Sequence, residues 1–208
     1  YINIKKMGAS YEIIKEIGKG GSGIVYLIEK DNKHYALKKI PINLLGNGEI
    51  DKCKEEINIL SSFNNKYIIK YYESNINDDY IEIIMEYGGD SNLKKFIKNY
   101  KDKNLLIEEE NILYIILQMC SGLKEIHNKK IIHRDLTPDN IFINEYNEIK
   151  IGDFGISKRL ETLKMSAHTQ IGKLHYIAPE MQLGQSYNNK VDIYALGCII
   201  YELFTLNE

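Results

Sequence analysis

The stretch His133-Arg134-Asp135-Leu136-Thr137-Pro138-Asp139-Asn140 decides how the whole chain is read. Eighteen residues after Asp135 comes Asp153-Phe154-Gly155, and then Gly172-Lys173-Leu174-His175-Tyr176-Ile177-Ala178-Pro179-Glu180. Upstream, Ile112, Ile115, Ile116, Met119, Leu123 and Ile126 form a broad apolar stripe that predicts a helix over Glu108 to Asn128, with a shorter one before it over Leu93 to Tyr100. Short strands are expected at Ile141 to Asn144 and Ile149 to Ile151. Ser157 to Gln170 is long, polar and aperiodic, the pattern of a surface loop with a functional role. Val191 to Phe204 is apolar almost all round and predicts a helix buried on every side.

The first part of the chain has another character. Tyr11 to Ile17, Ile24 to Glu29 and Lys33 to Ile40 predict three strands in meander, followed by a helix over Glu49 to Phe63 in which Ile50, Cys53, Ile57 and Leu60 share a face. Two more strands, Ile68 to Ser74 and Tyr80 to Tyr87, flank the polar turn Asn75 to Asp79. The chain divides at Gly88-Gly89 into a small sheet-rich unit, 11–87, and a mainly helical one, 88–208. Ligand sites favour such junctions.

Gly18-Lys19-Gly20-Gly21-Ser22-Gly23 matches G-x-G-x-x-G, which on its own is either a nucleotide-binding loop or a plain hairpin turn. In a dinucleotide fingerprint the third glycine opens a helix, whereas here Ile24-Val25-Tyr26-Leu27-Ile28 continues as strand. The glycines therefore cap a hairpin whose bare backbone can approach phosphate oxygens. Lys38 stands on the next strand; alone it reads as a solvated charge or, with Glu56 of the following helix, as half of an ion pair.

The 208 residues are 44% apolar and 27% charged, which excludes disordered, collagenous and coiled-coil classes. A formal charge of -2 creates no field of one sign that would recruit nucleic acid or an anionic membrane. There are 36 Ile against 2 Val and 25 Lys against 2 Arg, a bias that suits an AT-rich coding sequence and gives Arg134 and Arg159 added weight. Cys53, Cys120 and Cys198 have no metal-ligand spacing and are odd in number, so a reducing intracellular compartment, cytoplasmic or nuclear, is expected. No apolar run is long enough to cross a bilayer. The first residue is Tyr1, which suggests a segment of something longer.

Taken together, in this order and spacing, the glycine loop, Ala36-Leu37-Lys38, the catalytic-loop octet, Asp153-Phe154-Gly155 and Tyr176-Ile177-Ala178-Pro179-Glu180 resemble the eukaryotic protein kinase domain of serine/threonine type. The resemblance covers nearly the whole chain from Tyr11. It implies an α+β, bilobal fold: a small antiparallel-sheet lobe with one helix and a mainly helical lobe lacking its last helices. It also implies ATP, Mg2+ and a protein acceptor with a Ser or Thr hydroxyl. By the match, Asp135 would orient the acceptor hydroxyl and take its proton, Lys38 paired with Glu56 would hold phosphates, and Asn140 and Asp153 would hold magnesium. Ile17, Gly18, Lys19, Gly20, Gly21, Ser22 and Gly23 would cover the phosphates. Val25, Ala36 and Phe142 would sandwich the adenine, with Met85 as gatekeeper and Glu86, Tyr87 and Gly88 as hinge. Leu60, Tyr71, His133 and Phe154 would stack as an apolar column, and Asp192 would accept bonds from the catalytic-loop backbone.

Two positions depart from the family pattern. Thr137 stands where such kinases carry lysine, and Lys173 where they carry threonine; in the family those side chains meet beside the catalytic aspartate. The exchange reads as compensatory, with a weakly active or pseudokinase scaffold as the rival. Thr169, with Ser166 as runner-up, is the expected activation-loop phosphosite, and Arg134 its phosphate partner. Within the superfamily, Glu109-Glu110-Asn111-Ile112-Leu113, Gln118-Met119-Cys120 and Lys70-Tyr71-Tyr72-Glu73-Ser74 resemble the NIMA-related kinases. Lys39-Ile40-Pro41-Ile42-Asn43 suggests the translation-initiation-factor kinases as the alternative.

Overall fold

A computed structural model describes residues 11–20, 23–46, 49–152 and 171–207, with the side chains of residues 44, 49, 52, 55, 56 and 171–173 outside that description. Two compact units are present. Their described parts are 11–64 with 69–87, and 65–68 with 88–152 and 171–207.

The first unit is a five-stranded antiparallel sheet in the order β1-β2-β3-β5-β4, made of β1 (Glu12–Gly20), β2 (Gly23–Lys30), β3 (Lys33–Pro41), β4 (Tyr71–Ile76) and β5 (Tyr80–Glu86). Helix α1 (Glu49–Ser61) follows β3. Alternation along β3 separates two faces. Ile40 packs with Ile81 and Ile83 of β5 and with Cys53 and Ile57 of α1, so the helix covers that side with the residues its spacing called for. Leu37 turns the other way and joins Ile28 and Ile84 in a second cluster. Gly23 has φ +126, and a Cβ there would meet the Lys39 carbonyl oxygen at 2.1 Å, so no side chain fits where β2 begins.

β4 starts later than the sequence pattern suggests. Ile68 and Ile69 are buried, but Ile68 forms a parallel bridge with Ile151 instead of joining the five-stranded sheet. An apolar run marks burial without saying which partner supplies it.

The second unit contains α2 (Leu93–Asp102), α3 (Glu109–Asn128), the hairpin β6 (Ile141–Ile143) and β7 (Ile149–Ile151), the short α4 (Pro179–Gln182), and α5 (Lys190–Thr205). Asn92 caps α2, accepting from the Lys95 amide at 2.9 Å. Ile112, Ile115, Met119, Leu123 and Ile126 bury one side of α3. Gln118, buried beside them, accepts from the Ile149 amide at 3.0 Å and donates to the Asn147 carbonyl at 2.7 Å, pinning the β6-β7 hairpin to the helix. The expectation that the last helix is buried on every side is corrected: Val191, Ala195, Leu196, Ile199 and Leu203 are buried, while Ile193, Tyr194, Tyr201 and Phe204 are exposed. The described residues supply packing partners for one face only.

Candidate active site

In the first unit, strand register gathers the site residues. Val25 lies opposite Lys38, and Ala36 opposite Met85. Residues directly opposed across strands point to the same side, and Ala36 and Lys38 are two apart, so Val25, Ala36, Lys38 and Met85 share one face. Gly18 pairs with Val25 in the β1-β2 ladder, and Gly20 with Gly23 closes it. Ile17 and Lys19 are solvent-facing. Lys38 is only 4% exposed. An ammonium that deep needs a counter-charge. The Glu56 side chain, expected in that role, lies outside the described residues, as do Gly21 and Ser22. At the end of β5, the Glu86 amide donates to the Lys70 carbonyl at 2.7 Å, and its carboxylate accepts from the Lys70 amide at 3.1 Å. Tyr87 is half-buried. Of the expected apolar column, Leu60 and Tyr71 both pack against the cluster under α1.

In the second unit the site is a loop. His133 is buried; its Nε2 lies 3.1 Å from the Gly152 carbonyl, and its Nδ1 accepts from the Asp135 amide at 3.3 Å. One nitrogen must donate and the other accept, which specifies a neutral ring protonated on Nε2. Arg134 has φ +67, a left-handed conformation that a side chain disfavours. Asp192 of α5 holds it there. This carboxylate, 1% exposed, accepts from the His133 amide through Oδ2 and from the Arg134 amide through Oδ1, each at 2.9 Å. His127 Nε2 adds a third contact to Oδ2 at 2.8 Å.

The loop then presents Asp135, buried, with Asn140 against it. Asn140 Nδ2 donates to the Asp135 carbonyl at 2.8 Å and to its Oδ2 at 2.6 Å. Pro138 opens a short 3-10 turn through Asn140, closed by the Asn140 amide on the Thr137 carbonyl at 3.0 Å. With both amide hydrogens directed at Asp135, Asn140 keeps Oδ1, a hard oxygen suited to magnesium. Thr137 is 3% exposed, and its Oγ1 has no hydrogen-bond partner among the described residues. Asp153, Phe154, Ser166 and Thr169 lie outside the described residues, as does the Lys173 side chain.

Phe142 on β6 touches the hinge glycine. A Cβ on Gly88 would meet the Phe142 ring at 2.4 Å, so no side chain fits at that position. Arg134 extends its guanidinium over the exposed ring of Tyr187, 5.8 Å from the centroid.

Several supporting contacts escape a sequence reading. Asp192 is expected on the loop backbone, but His127 lies 65 positions from it and nothing local marks the two as partners. Asn92 donates to the Asp139 carbonyl at 3.2 Å, and Lys94 lies 3.6 Å from the Asp139 carboxylate, so the start of α2 steadies the loop. The capping position of Asn92 before the amphipathic helix Leu93–Asp102 was the one available signal.

A sheet unit with a buried strand lysine and a helical unit with an Asp-Asn loop clamped from a distant helix together define a protein kinase. The chain matches the protein kinase domain model over residues 11–208 and belongs to that family. Among curated relatives it is 40% identical over 201 residues to serine/threonine-protein kinase Nek8 of Danio rerio, covering 95% of this chain and 28% of the relative. It is 36% identical to serine/threonine-protein kinase Nek1 of Mus musculus, covering 95% and 16%, and 36% identical to the probable serine/threonine-protein kinase nek2 of Dictyostelium discoideum, covering 95% and 49%. The chain thus spans less than half the length of each of these relatives. Among solved structures, Rad53 1-466 in complex with AMP-PNP matches with a TM-score of 0.77 and 26% identity over 95% of this chain and 48% of that one. No described helix is long and apolar enough to cross a membrane.

Proposed function

We propose that the chain is an ATP-dependent protein serine/threonine kinase that moves the γ-phosphoryl group of ATP onto Ser or Thr hydroxyls of protein acceptors. The observation that carries this reading is the buried Asp135, held by Asn140 on a loop whose backbone is clamped by Asp192. Phosphoryl transfer asks a protein mainly for positioning and charge neutralisation. Asp135 orients the acceptor hydroxyl and takes its proton as the oxygen attacks the γ-phosphorus and the bond to the leaving ADP oxygen breaks. Lys38, paired with Glu56, holds the nucleotide phosphates, and residues 17–23 cover them. Val25, Ala36 and Phe142 enclose the adenine beside Met85, and the backbone of Glu86 to Gly88 bonds its edge. Asn140 and Asp153 would hold Mg2+, which when bound neutralises phosphate charge. The matched Rad53 structure is a complex with AMP-PNP, which supports an adenine nucleotide as the ligand.

The 11–87 and 88–208 segments act in this reading as the nucleotide-side and acceptor-side lobes. The test is transfer of labelled phosphate from ATP to a generic basic protein. Wild-type chain is expected to label it on Ser and Thr, with Asp135→Asn at background; equal labelling by both, or labelling on Tyr alone, contradicts the assignment.

A second reading, a weakly active or scaffold domain, is favoured by Thr137, whose hydroxyl is buried with no partner among the described residues. Our reading of that position is a compensated exchange, in which Lys173 supplies the ammonium near the transferred group and Thr137 the hydroxyl near Asp135. Lys173→Thr is then expected to lower turnover at least about tenfold, on the scale of lost charge stabilisation. Unchanged turnover in Lys173→Thr together with a gain in Thr137→Lys contradicts it. Phosphate on Thr169, or on Ser166, would draw Arg134 and switch activity on. Mass spectrometry of autophosphorylated chain is expected to find one of the two modified.

A further inference from the structure

The start of helix α2 is stitched to the catalytic loop. Asn92 forms a bridge with Phe142 of β6, its side chain donates to the Asp139 carbonyl at 3.2 Å, and the Ile143 amide donates to the Ser91 carbonyl at 3.3 Å. Lys94, on the first turn, lies 3.6 Å from the Asp139 carboxylate, on the loop that carries Asp135. That contact fixes which face of α2 looks along the loop. Lys98 and Lys101, at i+4 and i+7 from Lys94, share the face and are exposed. Like charges at this spacing oppose helix formation. Lys98 makes no ion pair among the described residues, and Lys101 donates to the neutral Asn207 side chain at 3.3 Å. Asp139 thus balances one ammonium, and positive charge is left in excess at Lys98, about 6 Å further along the axis.

We propose that Lys94 and Lys98 select acceptor segments carrying acidic side chains within a few residues of the Ser or Thr that is phosphorylated. This rests on the kinase reading of Asp135 and adds a class of substrate to it. An acceptor hydroxyl has to reach Asp135, so the rim of that loop is open in any form of the chain that transfers phosphate. Lys94 belongs to the rim through its contact with Asp139. An Asp or Glu of the acceptor exchanges with the Asp139 carboxylate at Lys94 or pairs with Lys98, whereas an Arg or Lys in the same place meets two ammonium groups. Both lysines are exposed, so the contact is a screened one that acts on encounter and KM and weakens with salt.

Peptides with one acceptor serine in a neutral background, and Glu or Lys scanned through the positions on either side, test this. For at least one position kcat/KM is expected to be about threefold or more higher with Glu than in the neutral peptide, through KM at unchanged kcat, and lower with Lys. The difference is expected to shrink as salt rises from about 50 to about 500 mM. Lys98→Glu is expected to reverse the order while transfer to the neutral peptide stays within about twofold of wild type. Binding of the same peptides, fluorescein-labelled, to Asp135→Asn with a non-hydrolysable ATP analogue reads the preference without transfer. The absence of transfer by wild type therefore contradicts the kinase reading, and equal binding of Glu and Lys peptides contradicts this one. A preference for Lys peptides overturns the proposal, as does a Glu preference that survives Lys94→Gln combined with Lys98→Glu.

Discussion

Lys38 and Asp135 are both buried charged residues of the candidate active site, and they are held in place by different means. Lys38 sits in the middle of β3, paired in register with both β2 and β5, so the ladder holds its backbone in place. Asp135 sits on a loop that forms no ladder with its neighbours and contains a residue at φ +67. That loop keeps its shape through side chains: Asp192 on two amides, the His133 ring on a third, and Asn140 on a carbonyl. On the sheet, then, function and stability separate; on the loop they are coupled, because the groups that place the carboxylate also satisfy buried backbone.

Four substitutions break or sharpen that contrast, taken in order of their effect on stability. Asp192→Ala strands the buried His133 amide, the part-buried Arg134 amide and His127, and is expected to cost about 3 kcal/mol or more and to abolish transfer with it. Denaturant melts and labelled-phosphate assays on one preparation check both. Gly88→Ala drives a methyl into the Phe142 ring and is expected to cost about 2 kcal/mol, with Gly88→Ala/Phe142→Ala regaining part of that loss relative to the sum of the single changes. Lys38→Met keeps the volume and apolar stem in a buried strand position and leaves the strand pairing intact, so even with its counter-charge left unpaired it is expected to cost less than Asp192→Ala, at most about 2 kcal/mol, while transfer is lost. A collapse of the fold in Lys38→Met would erase the distinction between the regions.

Glu82→Gln is the smallest. Lys39 Nζ lies 2.9 Å from the Glu82 carboxylate. Burial pulls the Lys39 pKa down, but the hydrogen bond and charge of Glu82 outweigh it, and the net direction is up. A raised lysine pKa adds stability that is present below its unfolded value and lost as pH rises through the folded one. Glu82→Gln is therefore expected to cost under about 1 kcal/mol near neutrality for this partly exposed pair, and to flatten the stability loss in alkaline solution. pH-dependent urea melts read both.

The same contrast explains what a reading of residues could reach. Alternation in Lys33 to Ile40 and helical spacing in Cys53 and Ile57 place the sheet, α1 and their shared core, since period alone carries that information. Family motifs locate Asp135, Asn140 and Lys38. The clamp is only half legible: the family resemblance marks Asp192 as the acceptor for the catalytic-loop backbone, but His127 becomes its partner through tertiary packing. Ile68 likewise reads as strand whether it joins the large sheet or bridges Ile151. The exposed face of α5 escapes as well, because an all-apolar pattern does not say which sides find partners.

The most direct test of Asp135 as the group that takes the acceptor proton is single-turnover transfer by Asp135→Asn, paired with binding of a non-hydrolysable ATP analogue to the same variant. Analogue affinity is predicted to stay within a few-fold of wild type while the transfer rate falls by about a thousandfold or more, on the scale of general-base catalysis with positioning. Transfer that persists within tenfold of wild type, at unchanged analogue affinity, would contradict it.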